Sequence, residues 1–124
     1  MGSTGIWRTA GHDRTVSVLQ RGLAQGRLSH AYLIAGPRHV GKMTLAMDLA
    51  RAVNCLDEQE RPCGACRQCQ HIEGVNHADV QVVGVETDGR TERLRAEITI
   101  DQVRALEQAA TLKPYEGACR VFII

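Results

Sequence analysis

The fold is decided by residues 32–53, which read YLIAGPRHVGKMTLAMDLARAV. The first four residues are apolar and predict a short buried strand, whereas residues 42–53 have the apolar spacing of an amphipathic helix. Between them lies a turn of the form Gly-x4-Gly-Lys at residues 36–42. A strand, this turn and a helix, in that order, predict a phosphate-binding loop, or P-loop.

The turn has the chemistry that phosphate binding requires. Its backbone N–H groups and the N-terminus of the following helix would point toward an anion. Gly36 and Gly41 permit backbone conformations that a Cβ atom would obstruct, and Lys42 would reach the β- and γ-phosphates of a nucleotide. The candidate nucleotide-binding residues are Gly36, Pro37, Arg38, His39, Val40, Gly41, Lys42, Met43 and Thr44.

Two positions depart from the motif. Met43 stands where a serine or threonine hydroxyl would bind Mg²⁺, and a thioether is a poor ligand for that hard cation. The hydroxyl of Thr44 comes one residue late, which turns it by about 100° around the helix. His39 also places a bulky ring inside the loop. We therefore expect a degenerate P-loop, and an ordinary glycine-containing turn remains the alternative.

The rest of the chain predicts an α/β fold. Apolar runs at residues 80–85 and 119–124 add two strands to the one at 32–35, and helices are expected at 13–25 and after Thr99. Thr99 and Gln102 have the spacing of a capping box, which would open a helix with Ile100, Val103, Leu106 and Ala110 on one face. Nearly continuous apolar strands separated by helices indicate a mostly parallel sheet covered on both faces, a three-layer arrangement.

Two further segments bear on organisation. Residues 86–97 mix charges of both signs around Asp88-Gly89 and predict a solvated loop or hairpin turn, although their arginines could contact phosphate. The third strand ends at Ile124, one step before the acidic residue that helps to hold Mg²⁺ in P-loop NTPases. We therefore expect residues 1–124 to be the N-terminal portion of a longer P-loop domain.

Composition excludes several classes of protein. The chain has 124 residues, enough for one domain or a piece of one. A net charge of +1 gives no general attraction to nucleic acid. No apolar run reaches transmembrane length and no signal peptide is present, so a cytoplasmic location is expected. Five cysteines in such a compartment indicate metal binding or catalysis before disulfides.

Four of the cysteines form the pattern Cys-x7-Cys-x2-Cys-x2-Cys. They are Cys55, Cys63, Cys66 and Cys69. Four thiolates suit a closed tetrahedral Zn²⁺ site of structural type, which would organise an inserted module at residues 55–71. An iron–sulfur cluster of the ferredoxin type would need a cysteine at Glu73; disulfides and plain buried thiols are further alternatives. His71 and His77 are spare ligands at most, and Cys119 is predicted to be a small core residue.

The P-loop and the cysteine module together resemble the bacterial DNA polymerase III clamp-loader subunits of the AAA+ family. Further matches are GH at residues 11–12, GRLSHAYLI at 26–34, HADV at 77–80, IDQVR at 100–104 and PYEG at 114–117. The last three segments look more like the delta-prime subunit than gamma/tau. Residues 36–42 resemble the family's Walker A loop, and the four cysteines fall where the family carries its zinc module.

The resemblance implies a function in DNA replication. The chain would belong to a hetero-pentameric ring of clamp-loader subunits that loads the sliding clamp onto primed DNA, with no membrane partner. A delta-prime-like subunit would act as a rigid stator that does not hydrolyse ATP, and Met43 agrees with that role. The alternatives are a gamma/tau-like ATP-hydrolysing motor that uses Thr44, and a zinc-knuckle nucleic-acid-binding module. ATP with Mg²⁺ is accordingly a conditional cofactor, beside structural Zn²⁺.

Overall fold

The computed structural model describes residues 5–37, 39–83 and 98–124. In chain order the elements are α1 (Asp13–Ala24), α2 (Lys42–Asn54), α3 (Arg67–Glu73), β1 (Val80–Val82), α4 (Ile100–Ala110) and β2 (Val121–Ile123). They fall into two compact units, Met1–His77 and Ala78–Ile124. None of the described helices is long and apolar enough to cross a bilayer. The loop predicted at residues 86–97 lies outside the described residues.

The first unit is built around the helices α1 and α2. Its core is formed by Val16, Leu19 and Leu45. Partly buried apolar side chains pack against this core, namely Trp7, Leu28, Ile34 and Leu49. Both helices were predicted from their apolar spacing, and both are confirmed to within one residue at their ends. Gly26 ends α1 with φ +65°, where the N–H of Arg27 reaches back to the carbonyl of Gly22 at 2.8 Å.

The strand predicted at residues 32–35 is wrong, because these residues have no regular secondary structure. Leu33 is 95% exposed and Tyr32 is 46% exposed, so the apolar run is not a buried strand. A strand needs a neighbouring strand that forms hydrogen bonds with its N–H and C=O groups. The described part of the first unit contains no strand. The apolar run shows hydrophobicity but does not itself supply a pairing partner.

The second unit contains a parallel pair of strands. β1 pairs with β2 in the register Val80 to Val121 and Val82 to Ile123. Both strands were predicted, and their parallel direction is confirmed. The described sheet has two strands rather than three. Val80 is buried, but Gln81, whose side chain lies on the opposite face of β1, is exposed, so the expected cover on both faces is not seen along β1.

Helix α4 begins with the predicted capping box. The Thr99 hydroxyl accepts the N–H of Gln102 at 3.3 Å, and the Gln102 side chain accepts the N–H of Thr99 at 2.8 Å. The apolar face expected on this helix is present in sequence but is not buried. Ile100 is 68% exposed and Val103 is 44% exposed, and α4 has no buried residue. Its stability therefore depends on local interactions more than on packing.

Replacing Thr99 with alanine is expected to lower the stability of α4. The substitution removes the hydroxyl that accepts the Gln102 N–H, and the loss of such a cap costs about 1 kcal/mol. Urea unfolding followed by far-ultraviolet circular dichroism would measure the change. Thr99→Ser is the matched control, since it keeps the hydroxyl and should stay near wild type. Equal stabilities for Thr99→Ala and Thr99→Ser would contradict the prediction.

Candidate metal centre and phosphate loop

The four cysteines of the spacing motif lie together in the first unit. Their sulfur atoms are all within 4.8 Å of one another. Cys55 is the C-cap residue of α2, with extended backbone angles that turn the chain away from the helix. Cys66 is the N-cap residue of α3, and Cys69 lies in the first turn of that helix. Cys63 comes from the intervening loop, so two helix ends and one loop supply the four thiols.

Backbone N–H groups point at three of the sulfurs. The N–H of Cys63 donates to the sulfur of Cys55 at 3.3 Å, and the N–H of Cys66 donates to the sulfur of Cys63 at 3.2 Å. The N–H of Cys69 donates to the sulfur of Cys66 at 3.4 Å. Such bonds stabilise the negative thiolate over the neutral thiol, which is the form a metal requires.

The spacing of the sulfurs fits a tetrahedral metal better than a disulfide. The sulfurs of Cys55 and Cys66 are 4.0 Å apart. A tetrahedral ion with sulfur bonds of about 2.3 Å places its ligands roughly 3.8 Å apart, whereas a disulfide brings two sulfurs to about 2.05 Å. None of the four cysteines of the cluster is in a disulfide, so the disulfide alternative is not formed. The cluster could therefore hold a metal ion.

The four thiols do not share one electrostatic environment. Burial would raise the pKa of Cys66, but the N–H groups of Leu56 and Cys69 outweigh it and lower that pKa to about 6. Burial raises the pKa of Cys55 and also that of Cys69. Among these three thiols Cys66 therefore ionises most readily, whereas burial disfavours the thiolates of Cys55 and Cys69 unless a cation is bound.

Helix α3 was not predicted from the sequence, which indicated only an inserted module at residues 55–71. The helix runs from Arg67 to Glu73 without glycine or proline. The N-cap acceptor is the sulfur of Cys66 rather than a serine or aspartate oxygen. Gly74 follows as the C-cap residue. The absence of breakers before Gly74 was the available signal, but the cysteine was interpreted only as a ligand.

The spare histidines and the fifth cysteine do not join the cluster. The Nε2 atom of His77 contacts the Oε1 atom of Gln68, and both side chains are buried. Gln68 lies between two of the cysteines, so this contact links the cysteine module to the chain that leads toward β1. The prediction that Cys119 is a core residue is wrong, because its side chain is exposed in the second unit.

The glycine-bounded turn leads directly into α2, which begins at Lys42. Gly41 has φ +97°, which a Cβ atom would strain, and His39 adopts φ +62° despite its side chain. The Nζ atom of Lys42 donates to the carbonyl of Gly36 at 2.7 Å, so the lysine spans the loop. Arg38 lies outside the described residues. The turn therefore brings the Lys42 amine back across the loop to Gly36, and His39 takes a left-handed backbone conformation.

A histidine from outside the loop also supports it. The Nε2 atom of His12 is 3.0 Å from the carbonyl oxygen of Val40. Because a carbonyl only accepts, this ring nitrogen carries the proton. Met43 is 53% exposed and Thr44 is also exposed, both in the first turn of α2. The thioether of Met43 and the late hydroxyl of Thr44 are thus both accessible to solvent.

A buried carboxylate holds the start of the chain against α2. Asp48 is fully buried and accepts the N–H groups of Arg8 at 3.1 Å and Thr9 at 2.9 Å. The Thr9 hydroxyl and the Arg51 guanidinium also donate to it. Sequence reasoning missed this group, although Asp48 and Arg51 lie three positions apart between the apolar residues of α2.

A second buried carboxylate organises the second unit. Asp79 accepts three successive N–H groups, from Tyr115 at 2.6 Å, Glu116 at 2.7 Å and Gly117 at 2.6 Å. The N–H of Ala78 donates to the Glu116 side chain at 3.0 Å. The segments HADV and PYEG, which were noted separately in the sequence, therefore form one hydrogen-bonded structure at the start of the strand pair.

Comparison with known proteins gives consistent matches. The family model described as "DNA polymerase III, delta subunit" matches residues 11–124. The chain is 33% identical over 111 residues to "DNA polymerase III subunit delta'" of Bacillus subtilis, covering 90% of this chain and 31% of that protein. It is 32% identical over 115 residues to "DNA polymerase III subunit tau/gamma" of Haemophilus influenzae, covering 92% and 15%.

A third relative matches a similar share of this chain. The chain is 34% identical over 115 residues to "DNA polymerase III subunit tau" of Escherichia coli, covering 92% of this chain and 16% of that protein. The chain thus spans less than a third of the length of each of these three curated relatives. The matched residues include both the glycine-bounded turn and the cysteine cluster, because the family model extends from residue 11 to residue 124.

Proposed function

The chain belongs to the family described as DNA polymerase III, delta subunit, and from this membership we propose that it is part of a clamp-loader subunit of the AAA+ class. Its function would be in DNA replication, where it helps to load the sliding clamp onto primed DNA. The observation that carries the proposal is the match over residues 11–124 together with delta' and tau/gamma relatives at 32–34% identity.

The organisation proposed for the chain follows from the same membership. Residues 1–124 are the N-terminal part of the P-loop domain, and residues 55–71 are an inserted metal-binding module. The other subunits of a hetero-pentameric ring are its direct partners, and the clamp and DNA are reached through that ring. A cytoplasmic location fits this role.

Within this family the chain is proposed to be a delta-prime-like stator rather than a motor. Met43 follows Lys42 at the position where Mg²⁺ would require a hydroxyl. The similarity to the delta' subunit of Bacillus subtilis over 90% of this chain also supports the assignment.

The second candidate is a gamma/tau-like ATPase motor. It is favoured by the similarity to the tau subunit of Escherichia coli at 34% identity and by the presence of Thr44 one position later. Lys42 would then bind nucleotide phosphates instead of the Gly36 carbonyl. This candidate differs from the stator in one measurable property, which is the use of ATP by this subunit itself.

Loading assays on the reconstituted ring would separate the two candidates. If the full-length protein is a stator, Lys42→Ala leaves the rate of clamp loading and the ATPase rate of the ring unchanged, since hydrolysis occurs in other subunits. Calorimetry with Mg²⁺-ATP on the isolated full-length subunit measures binding directly. ATPase activity of that isolated subunit, abolished by Lys42→Ala, would rule out the stator. Absence of the protein from the assembled ring would rule out both candidates.

The cysteine cluster is proposed to bind one structural zinc ion through Cys55, Cys63, Cys66 and Cys69. The fit rests on the sulfur spacing and on the N–H groups directed at the sulfurs. Zinc would fix the positions of two helix ends and the loop between them, and it would leave no open coordination position for catalysis. Nucleotide binding at residues 36–44 is the remaining proposed site, conditional on the motor candidate.

A further inference from the structure

The first described residues of the chain form a strap, residues 5–9, that lies against the cysteine module. The N–H of Ile6 donates to the carbonyl of Pro62 at 2.7 Å. The indole Nε1 of Trp7 donates to the carbonyl of Arg61 at 3.2 Å. Two consecutive carbonyls of the module therefore accept hydrogen bonds from two consecutive residues of the strap. Trp7 also packs against the core of the first unit.

The approach is closest at Gly5. A Cβ atom at this position would lie 2.3 Å from both the carbonyl carbon and the carbonyl oxygen of Arg61. Backbone atoms cannot move aside as the end of a side chain can. A Cβ added at Gly64 would lie 3.7 Å from Ile6, an ordinary packing contact. The fit between strap and module thus depends on the position of the Arg61–Pro62 backbone.

That backbone belongs to the loop that the cluster closes. Arg61 and Pro62 lie between Cys55 and Cys63, whose contact is the N–H to sulfur bond at 3.3 Å. Local hydrogen bonds to Asp57 shape the earlier part of the loop. Residues 56–60 are all exposed, so this part of the loop has no apolar core of its own. Apart from the buried side chain of Pro62, the conformation of the loop must come from the sulfur cluster and from local bonds.

We propose that metal binding by the four cysteines controls the docking of the N-terminal strap. With the metal bound, the carbonyls of Arg61 and Pro62 are held where the strap requires them. Without the metal, the loop moves, and the outer end of the strap, residues 5–7, detaches from the module. The proposal rests on the metal site proposed above but not on the clamp-loading role, and it assigns the metal a target within the chain.

The inner end of the strap has a separate anchor. The N–H groups of Arg8 and Thr9 donate to Asp48, which lies on α2 rather than on the loop. The Arg8 guanidinium also forms an ion pair with Glu73 of α3 at 2.6 Å, with both side chains about half exposed. Loss of metal is therefore expected to free Ile6 and Trp7 first, while Thr9 remains bonded to Asp48.

Two glycine substitutions test the coupling from the strap to the metal. Gly5→Ala and Gly11→Ala both place a Cβ atom at a left-handed φ, +76° and +77°, but Gly11 has no described atom within 4 Å of that Cβ. Both variants therefore put alanine where a side chain is disfavoured, and Gly5→Ala alone carries the overlap with Arg61. Zinc release from the full chain to a chelating dye should be at least about tenfold faster in Gly5→Ala and unchanged in Gly11→Ala.

The reverse coupling is measured by removing the metal from the wild-type chain. Chelation should speed hydrogen exchange at the Ile6 amide more than at the Thr9 amide. It should also shift the emission of Trp7, the single tryptophan of the chain, to longer wavelength. Equal zinc release from both glycine variants, or an Ile6 amide equally protected with and without metal, overturns the proposal while the zinc site stands. A wild-type chain that binds no zinc overturns the site as well.

Discussion

Replacing Cys69 with serine is expected to abolish zinc binding and to unfold the cysteine module, residues 55–71, together with the rest of α3. Cys69 is fully buried, so no water can replace the lost sulfur ligand without opening the structure. Structural zinc sites of this type contribute an apparent binding free energy of about 10–16 kcal/mol. A whole domain is stable by only about 5–15 kcal/mol. The loss of metal should therefore remove the order of α3 and of the loop before it.

Two quantities test this prediction: the zinc content of the protein and the protection of the α3 amides against hydrogen exchange. Elemental analysis should give about one zinc per wild-type chain and none in Cys69→Ser. Hydrogen exchange in α3 should rise to the rate of an unfolded peptide. Cys119→Ser is the control, since this cysteine is exposed in the second unit and should leave both quantities unchanged. A Cys69→Ser variant with full zinc content and a protected α3 would contradict the assignment of this residue as a ligand.

The helices were predictable because each carries its signal locally. α1 and α2 have apolar residues at helical spacing, and α4 has a capping box whose two hydrogen bonds both form. The same local reasoning predicted that the four cysteines form one cluster. Two Cys-x2-Cys spacings and a cysteine at the end of α2 can meet through short-range chain geometry alone. Spacing in sequence therefore gave the candidate metal centre without knowledge of the distant contacts.

The prediction of a strand at residues 32–35 is wrong for the opposite reason, and the apolar face of α4 is exposed for the same reason. Both depend on partners that are remote in sequence. Leu33 is apolar enough for a core strand but is 95% exposed, and Ile100 has the right position on its helix but is 68% exposed. Hydrophobicity predicts that a side chain would gain from burial, whereas the neighbour that buries it is a property of the whole fold.

The buried charged side chains could not be predicted from the sequence either. Asp48, Arg51 and Asp79 were not singled out as core residues, because charged side chains are rarely fully buried unless they are paired. Asp79 bonds to three backbone N–H groups more than thirty residues away. No local pattern marks such an acceptor, although both segments involved, HADV and PYEG, are among those by which the chain resembles the family.

Replacing Asp48 with alanine is expected to destabilise the first unit by about 3–5 kcal/mol, the cost of leaving a buried charge without its partner. The Arg51 side chain is only 5% exposed and would lose the carboxylate that it contacts. The N–H groups of Arg8 and Thr9 would lose their acceptor as well. Such a loss is comparable with the whole stability of a small domain, so most of the population could unfold at ordinary temperature.

Urea unfolding of the zinc-loaded chain would measure this effect against a matched control. Asp57→Ala also removes an aspartate that accepts two backbone N–H groups, but these bonds are exposed, so the cost should be below about 1 kcal/mol. The double variant Asp48→Ala/Arg51→Met should recover part of the stability, because it removes the unpaired charge together with its partner. If Asp48→Ala cost no more than Asp57→Ala, the buried network would not hold the strap to α2. The early release expected for Ile6 and Trp7 would then extend to Thr9, because the inner anchor would be as weak as the outer one.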